Sequence, residues 1–510
     1  MRGKVSGAYL FLLMTIFPLL VHDGYTDILY VKTGYFYLLT GGYFLLMLGS
    51  LLFKPEKAGG KNWGRKAHGT EWCVFGYGII AVLAWLLCEN KQEQFSGIYG
   101  RNMGLLTILL CVLCYICIYH FLEFKQYILT GMLGAAALVC IVAVCNHLGF
   151  DPLSMYPGGH LQSEFLSTMG NINTLSAYIG ILLPFGMTLF MVSKEMLSKK
   201  VYGIFCFLGF IGMISANSDS AYLTVGIAFV VLLYLAKDTC QGTALLALVL
   251  EYGTAVLFMH GLREMRGIEN CMKFRSGLSE MLVDIRLNLG IIILAGVLLM
   301  RLMRWQGKEE AAKAEKFWQR MRKILLIILA VIVCIFIGVL LFVNLAWEKK
   351  EAKEYLGELY RYLYFSDAWG TKRLRIWKAA VKTYVRLPLL HKLIGVGPAG
   401  FYFATQKYLT AEELAVFAKQ GNLVDAHNVY LQELVLFGVI GLLCFLGIFG
   451  SALYSFWRKG KTESYMLAFA MFIIAFFVQA FVNNSHIYID TLVFMLMAVG
   501  RNLGKCDKNG

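Results

Sequence analysis

Residues 324–346 read ILLIILAVIVCIFIGVLLFVNLA, running from Ile324 to Ala346 without a charged side chain. The hydrocarbon core of a bilayer is about 30 Å thick, and an α-helix crosses it in about 20 residues. Within lipid, only a helix or a closed barrel satisfies every backbone group. Barrel strands alternate apolar and polar residues, and this run does not, nor does the longer Val429–Phe456. Both are therefore predicted as membrane-spanning helices.

The rest of the chain has the same character. It has 510 residues, 58% hydrophobic and 15% charged, whereas water-soluble domains carry about 25% charged residues. Further apolar runs fall at roughly 6–21, 34–53, 71–88, 103–120, 126–146, 173–192, 201–215, 220–236, 241–260, 284–300, 464–482 and 487–500. The prediction is an all-α, polytopic helical membrane protein with about 12–14 transmembrane helices. The lower number omits the pair between 241 and 300. The first run follows Arg2 and Lys4 and lacks a small-residue cleavage site, so it is expected to be a retained anchor.

Orientation follows from lysine and arginine, which favour the cytoplasmic side of short loops. Clusters at 54–66, 194–200, 301–323, 458–461 and 501–508 place both termini in the cytoplasm. The formal charge of +15 is largely explained by this bias, so no nucleic-acid partner is expected. Residues 347–426 fall outside and are basic, which loops longer than about 60 residues tolerate. Two causes fit that basicity: a diphosphate or other polyanionic ligand, and anionic lipid headgroups. The division expected is an N-terminal bundle at 1–346, a large extracytoplasmic helical loop at 347–426, and C-terminal helices at 427–510.

Of the thirteen cysteines, none lies in the long loop, which argues against a disulfide framework. Cys111, Cys114 and Cys117 have ligand-like spacing but lie in the middle of an apolar run, and are expected to pack. No metal and no cofactor are predicted. Gly395-Val-Gly-Pro-Ala-Gly400 matches a dinucleotide fingerprint in letters only, because no βαβ unit surrounds it; it is expected to form a tight turn. In the loop helix at 372–387, Leu374, Trp377, Val381, Tyr384 and Val385 share an apolar face. Arg375, Lys378, Lys382 and Arg386 form a basic stripe opposite, and Arg373 lies on the other flank.

Polar residues gather at the outer ends of the helices. His427 follows Asp425 and precedes Asn428 at the mouth of an apolar run. A histidine there serves either as a general base or as part of a helix start, for which Asp425 and Asn428 are ordinary caps. Arg101, Asn171 and Asn173, Ser218-Asp219-Ser220, and Asn483 to His486 lie on the same side. A transporter should instead place ionisable residues deep in the membrane, often beside broken helices, and such residues are expected to be scarce here.

Gly170-Asn-Ile-Asn-Thr-Leu-Ser-Ala-Tyr178, Arg373-Leu-Arg-Ile-Trp377, Gly395 to Phe401, Asp425-Ala-His-Asn-Val-Tyr-Leu-Gln432 and Gly438-Val-Ile-Gly-Leu442 occur in that order. Together they resemble the O-antigen ligase and O-antigen polymerase family, most densely over 360–500. The resemblance implies a metal-independent, inverting glycosyltransferase. Its donor is a glycan on undecaprenyl diphosphate (a polyprenyl-diphosphate carrier), and it acts at the outer face of the cytoplasmic membrane. The acceptor is a hydroxyl on a glycan or lipid-linked molecule, and membrane lipids are the remaining partners. It further implies that Arg373 neutralises the diphosphate and that His427 serves the acceptor. Arg101, Asn171, Asn173, Arg375 and Asn428 are expected to contact substrate. Where the family commonly has Ser-Arg-Gly, this chain has Ser218-Asp219-Ser220. The missing charge must come from Arg101, Arg375 or another loop residue, or the donor differs. The alternative function is a transporter or flippase-like protein without group transfer.

Overall fold

The computed structural model describes residues 1–53, 69–98, 101–156, 165–274, 277–304, 308–347, 349–418 and 423–504. The basic clusters at 54–66 and 505–508 lie outside the described residues. Among the described residues there are helices and no strands. The first group comprises α1 (Arg2–Thr15), α2 (Ile28–Phe53), α3 (Gly69–Leu87), α4 (Lys91–Ser96), α5 (Leu105–Phe121), α6 (Tyr127–His147) and α7 (Ile172–Val192). There follow α8 (Met196–Ala216), α9 (Asp219–Leu235), α10 (Thr239–Arg266), α11 (Gly277–Leu282), α12 (Ile285–Arg304) and α13 (Lys308–Leu345). The long loop holds α14 (Lys349–Leu356), α15 (Tyr360–Leu363), α16 (Arg373–Arg386), α17 (Leu389–Ile394), α18 (Phe401–Tyr408) and α19 (Ala411–Ala418). The chain closes with α20 (Val429–Lys459), α21 (Met466–Val482) and α22 (Ile487–Leu503).

Every expected apolar run falls on a helix. The first ends early, at Thr15, because Pro18 follows in a 3-10 turn and lacks a backbone N–H. Among the described residues, 8 helices are long and apolar enough to cross a membrane, and α5, α9 and α21 are shorter apolar helices. The protein is a multi-pass helical membrane protein.

Hydropathy and burial run in opposite directions. α13, which contains the uniformly apolar 324–346 run, exposes Ile335, Phe336 and Phe342 around its surface. α7 is almost wholly enclosed by α8, α9 and α21. Lipid is as apolar as leucine, so α13 needs no protein cover, whereas close approach of α7 to its neighbours requires small residues. Gly180 and Gly186 provide them: a Cβ there would lie 2.3 Å from Gln479 Nε2 and 2.5 Å from Phe205.

The 429–456 run is not one continuous helix. Gly438 has φ 65° and ψ −170°, which breaks α20 into a short N-terminal part and a longer remainder. The break frees carbonyls, and the loop takes them: Val396 N donates to Val435 O (3.2 Å) and Gly397 N to Leu436 O (2.9 Å). The contact admits no side chain. A Cβ on Gly395 would meet Leu436 O at 2.1 Å, and one on Gly438 would meet the Leu393 carbonyl at 2.4 Å. The Gly395–Gly400 segment is thus a turn, as expected, and its role is to dock the loop onto a broken helix.

One expectation needs correction. α16 packs through Ala379, Ala380 and Thr383, while Val381 and Val385 are exposed. Small residues let the helix approach its neighbours closely. Lys32, Glu71, Glu433 and Asp490 are buried as well, but each lies within the first five residues of its helix, at an end and not at the middle of a span. Each has a local partner: Lys32 donates to Pro18 O, Tyr77 donates to Glu433, and Ser485 donates to Asp490. Glu71 forms a bidentate pair with Arg501 at 3.0 Å for both contacts.

Candidate functional site

Each polar residue of Asp425-Ala-His-Asn-Val-Tyr-Leu-Gln432 has a distinct structural task. Asn428 Oδ1 accepts from Leu431 N (3.0 Å) and so caps α20, while its Nδ2 donates to Phe481 O (3.0 Å) and straps α20 to α21. Gln432 reaches back to Ala426 N (2.8 Å). These contacts hold the segment before the helix in one shape and leave His427 at the mouth. His427 adopts φ 47°, the left-handed region that costs an L-residue roughly 1–2 kcal/mol.

Asp425 is the hub of the site and is not a cap. Its Oδ1 accepts from His427 N (3.1 Å) and faces His427 Nδ1 (3.4 Å). Its Oδ2 accepts from Arg101 Nε (3.0 Å) and Asn484 Nδ2 (3.0 Å). Asp425 is 5% exposed and the His427 side chain 30%, so the carboxylate is sealed in while the imidazole still reaches the surface. Burial alone would push the Asp425 carboxyl up. His427, Arg101 and Asn484 outweigh it and hold the group well below the ordinary carboxylate range. For His427, burial lowers the pKa, Asp425 raises it, and Arg101 and Arg373 lower it further, for a net decrease.

Arg373 opens α16, where it shares a face with Trp377, Ala380 and Tyr384. It is half-buried, and its guanidinium feels Asp219 and Asp425. No hydrogen-bond partner for the guanidinium is found among the described residues. Trp377 Nε1 donates to His427 O (3.4 Å), and its ring meets Phe481 at 5.2 Å, edge-on. This tryptophan fixes the loop helix against both the histidine and the membrane bundle. Asp219, where the family pattern has arginine, accepts from Ser279 Oγ (3.1 Å).

Left-handed residues concentrate around these groups: Arg101, Asn102, Asn217, Thr371, Lys372 and His427 all have positive φ. Strain of this kind clusters at functional sites, where the surroundings over-determine the backbone.

The other expected contacts lie differently. Asn171 caps α7 by accepting from Asn173 N (2.8 Å), and neither asparagine hydrogen-bonds to His427, Asp425 or Arg373. Arg375 is half-buried with its Nε enclosed and without a partner. It belongs with Asp367 in the loop. Lys378 pairs with Asp367 (2.7 Å), and Lys382 and Arg386 pair with Glu413 (3.0 and 2.6 Å), so these three members of the stripe are solvated and paired within the loop. Asp425 had a local signal that a cap assignment overlooks, because aspartate two residues before a backbone N–H forms an Asx turn. Asn484 had none, since only the fold brings it to Asp425.

A family model described as O-Antigen ligase matches residues 285–446. No curated protein matches the chain. The matched span contains Arg373, Trp377, the Gly395–Gly400 turn, Asp425, His427 and the Gly438 break. Arg101, Asp219 and Asn484 reach the same mouth from outside it. Residues 285–446 thus match an O-antigen ligase domain, and this match supports the resemblance to the O-antigen ligase/polymerase family.

Proposed function

We propose that the protein transfers a glycan from a polyprenyl-diphosphate carrier, such as undecaprenyl diphosphate, to an acceptor hydroxyl. The reaction takes place at the outer face of the cytoplasmic membrane, with both termini cytoplasmic, during cell-surface polysaccharide synthesis. The observation that carries this is the pairing at one mouth of an Asp425-held imidazole and an unclaimed Arg373 guanidinium.

With Nδ1–H directed at Asp425, His427 presents Nε2 as an acceptor. The acceptor hydroxyl gives its proton to Nε2 while its oxygen bonds the anomeric carbon. The bond from that carbon to the phosphate oxygen breaks, and the electron pair leaves with the diphosphate. Arg373, with Arg101 beside it, stabilises the charge that grows there. Arginine suits bidentate phosphate contacts, and donors aimed at developing charge act most strongly where water is excluded. A single displacement inverts the anomeric centre. Charge neutralisation is assigned to guanidinium groups, so turnover should persist in chelator.

The transporter alternative draws some support from the broken α20 and from buried Glu433 and Asp490. However, the carbonyls freed at the break are taken by loop amides instead of lining an open cavity. The break therefore serves docking, and group transfer is the better account.

The test uses purified full-length protein with a polyprenyl-diphosphate glycan, scored for release of the diphosphate carrier. Wild type should turn over in EDTA, and His427→Ala and Arg373→Ala should each lose about 10²-fold or more. Full activity in both variants, or topology labelling that puts 347–426 in the cytosol, sinks the proposal.

A further inference from the structure

A second histidine stands at the same mouth, outside the matched domain. His486 precedes α22, and its Nδ1 accepts from Tyr488 N (3.3 Å), capping the helix. That bond fixes the tautomer: Nδ1 carries the lone pair, and the proton sits on Nε2. The ring lies 4.2 Å from the Tyr488 ring, centroid to centroid. Tyr488 is held in turn by the edge-on ring of Phe17 (5.9 Å) and by Lys32, whose Nζ lies 5.0 Å from its centroid. The imidazole is rigid, 6% exposed, and no described residue accepts from its Nε2.

Its setting suits an anion. His486 feels Arg101, Asp425 and Lys32, and two positions before it Asn484 donates to Asp425. Arg101 uses only Nε on Asp425, which leaves its terminal nitrogens without a partner among the described residues. Burial, then Arg101 and Lys32, depress the His486 pKa well below that of free imidazole, with Asp425 opposing. The ring is a neutral donor that cannot double as the base, because its only lone pair is spent on the cap.

We propose that His486 contacts substrate directly, donating its Nε2–H to a phosphoryl oxygen of the carrier diphosphate beside the terminal nitrogens of Arg101. This rests on the transfer reading above and deepens it. Arg373 and Arg101 supply charge, and His486 supplies a fixed, uncharged donor. Together they make up part of the phosphate recognition for which the chain has Asp219 in place of an arginine.

The two ring nitrogens are separable by mutation. His486→Asn keeps an acceptor at the Nδ1 position, and asparagine is among the best helix caps, but it leaves the Nε2 position empty. His486→Gln does the reverse. In full-length protein, His486→Asn should retain wild-type thermal stability and lose about 10²-fold in kcat, whereas His486→Gln should melt earlier and keep most of its rate. Binding of undecaprenyl diphosphate, measured without turnover, should weaken about tenfold in His486→Asn. If wild type binds this probe but transfers nothing, the transfer reading fails, and the weakened binding still supports the contact. His486→Asn matching wild type in both rate and binding would overturn it, as would a His486→Gln variant as slow as His486→Asn.

Discussion

Replacing Asp425 with asparagine keeps the shape of the hub and removes its charge. Three N–H groups converge on this carboxylate, from Arg101, Asn484 and the His427 backbone, and His427 Nδ1 faces it as well. An amide offers one acceptor oxygen. Whichever way it turns, its NH₂ confronts either the Arg101–Asn484 pair or the His427 N–H. Hydrogen bonds to charged groups contribute about 1.5–3 kcal/mol, and breaking a buried pair costs about 3–5 kcal/mol. The variant should therefore be clearly less stable in detergent. General-base catalysis contributes about 10²–10⁴-fold, and kcat should fall at least to the low end of that range because the imidazole loses its orienting partner. The pH profile gives a sharper check. Burial lowers the His427 pKa first, Asp425 alone raises it, and Arg101 and Arg373 lower it. Removing the Asp425 charge must shift the acid limb of kcat/KM to lower pH, while Arg101→Ala must shift it up. A wild-type rate in Asp425→Asn, or an acid limb that rises, would refute the hub. The same depressed pKa makes the unfolded chain bind a proton that folded His427 does not. Its contribution to stability is therefore present above the free-imidazole pKa of about 6.5 and is lost as pH falls from there toward the folded value.

Gly438→Ala should undock the long loop. Its Cβ would sit 2.4 Å from the Leu393 carbonyl at a positive φ, and the left-handed backbone alone costs about 1–2 kcal/mol. Faster proteolysis within 347–426 together with lost activity is the expected result. Trp377→Phe keeps the ring against Phe481 but deletes the donor to His427 O, so it should cost about 1 kcal/mol of stability. It should also lower kcat with little change in KM, as measured in carrier-release kinetics. Glu71→Gln breaks the buried pair with Arg501 at the far end of α22, an expected loss of about 3–5 kcal/mol. The fraction that stays folded should keep wild-type kcat/KM, since this pair lies remote from His427.

The sequence by itself determined the class of fold, because hydropathy is a local property and a run of twenty or so apolar residues has few places to go but lipid. It also singled out Arg373 and His427, since the Arg…Trp and Asp-Ala-His-Asn patterns are contiguous. It misjudged what depends on neighbours. The face by which α16 packs and the break in α20 were both set by contacts between distant segments. Asp425 shows the limit most plainly. Read along the chain it is a helix cap, and only the folded bundle sets it between Arg101, 324 positions earlier, and Asn484, 59 later. Composition can place a carboxylate at a membrane surface. Whether it ends there as a cap or as the anion that orients a histidine depends on which donors the packed helices bring within three ångströms.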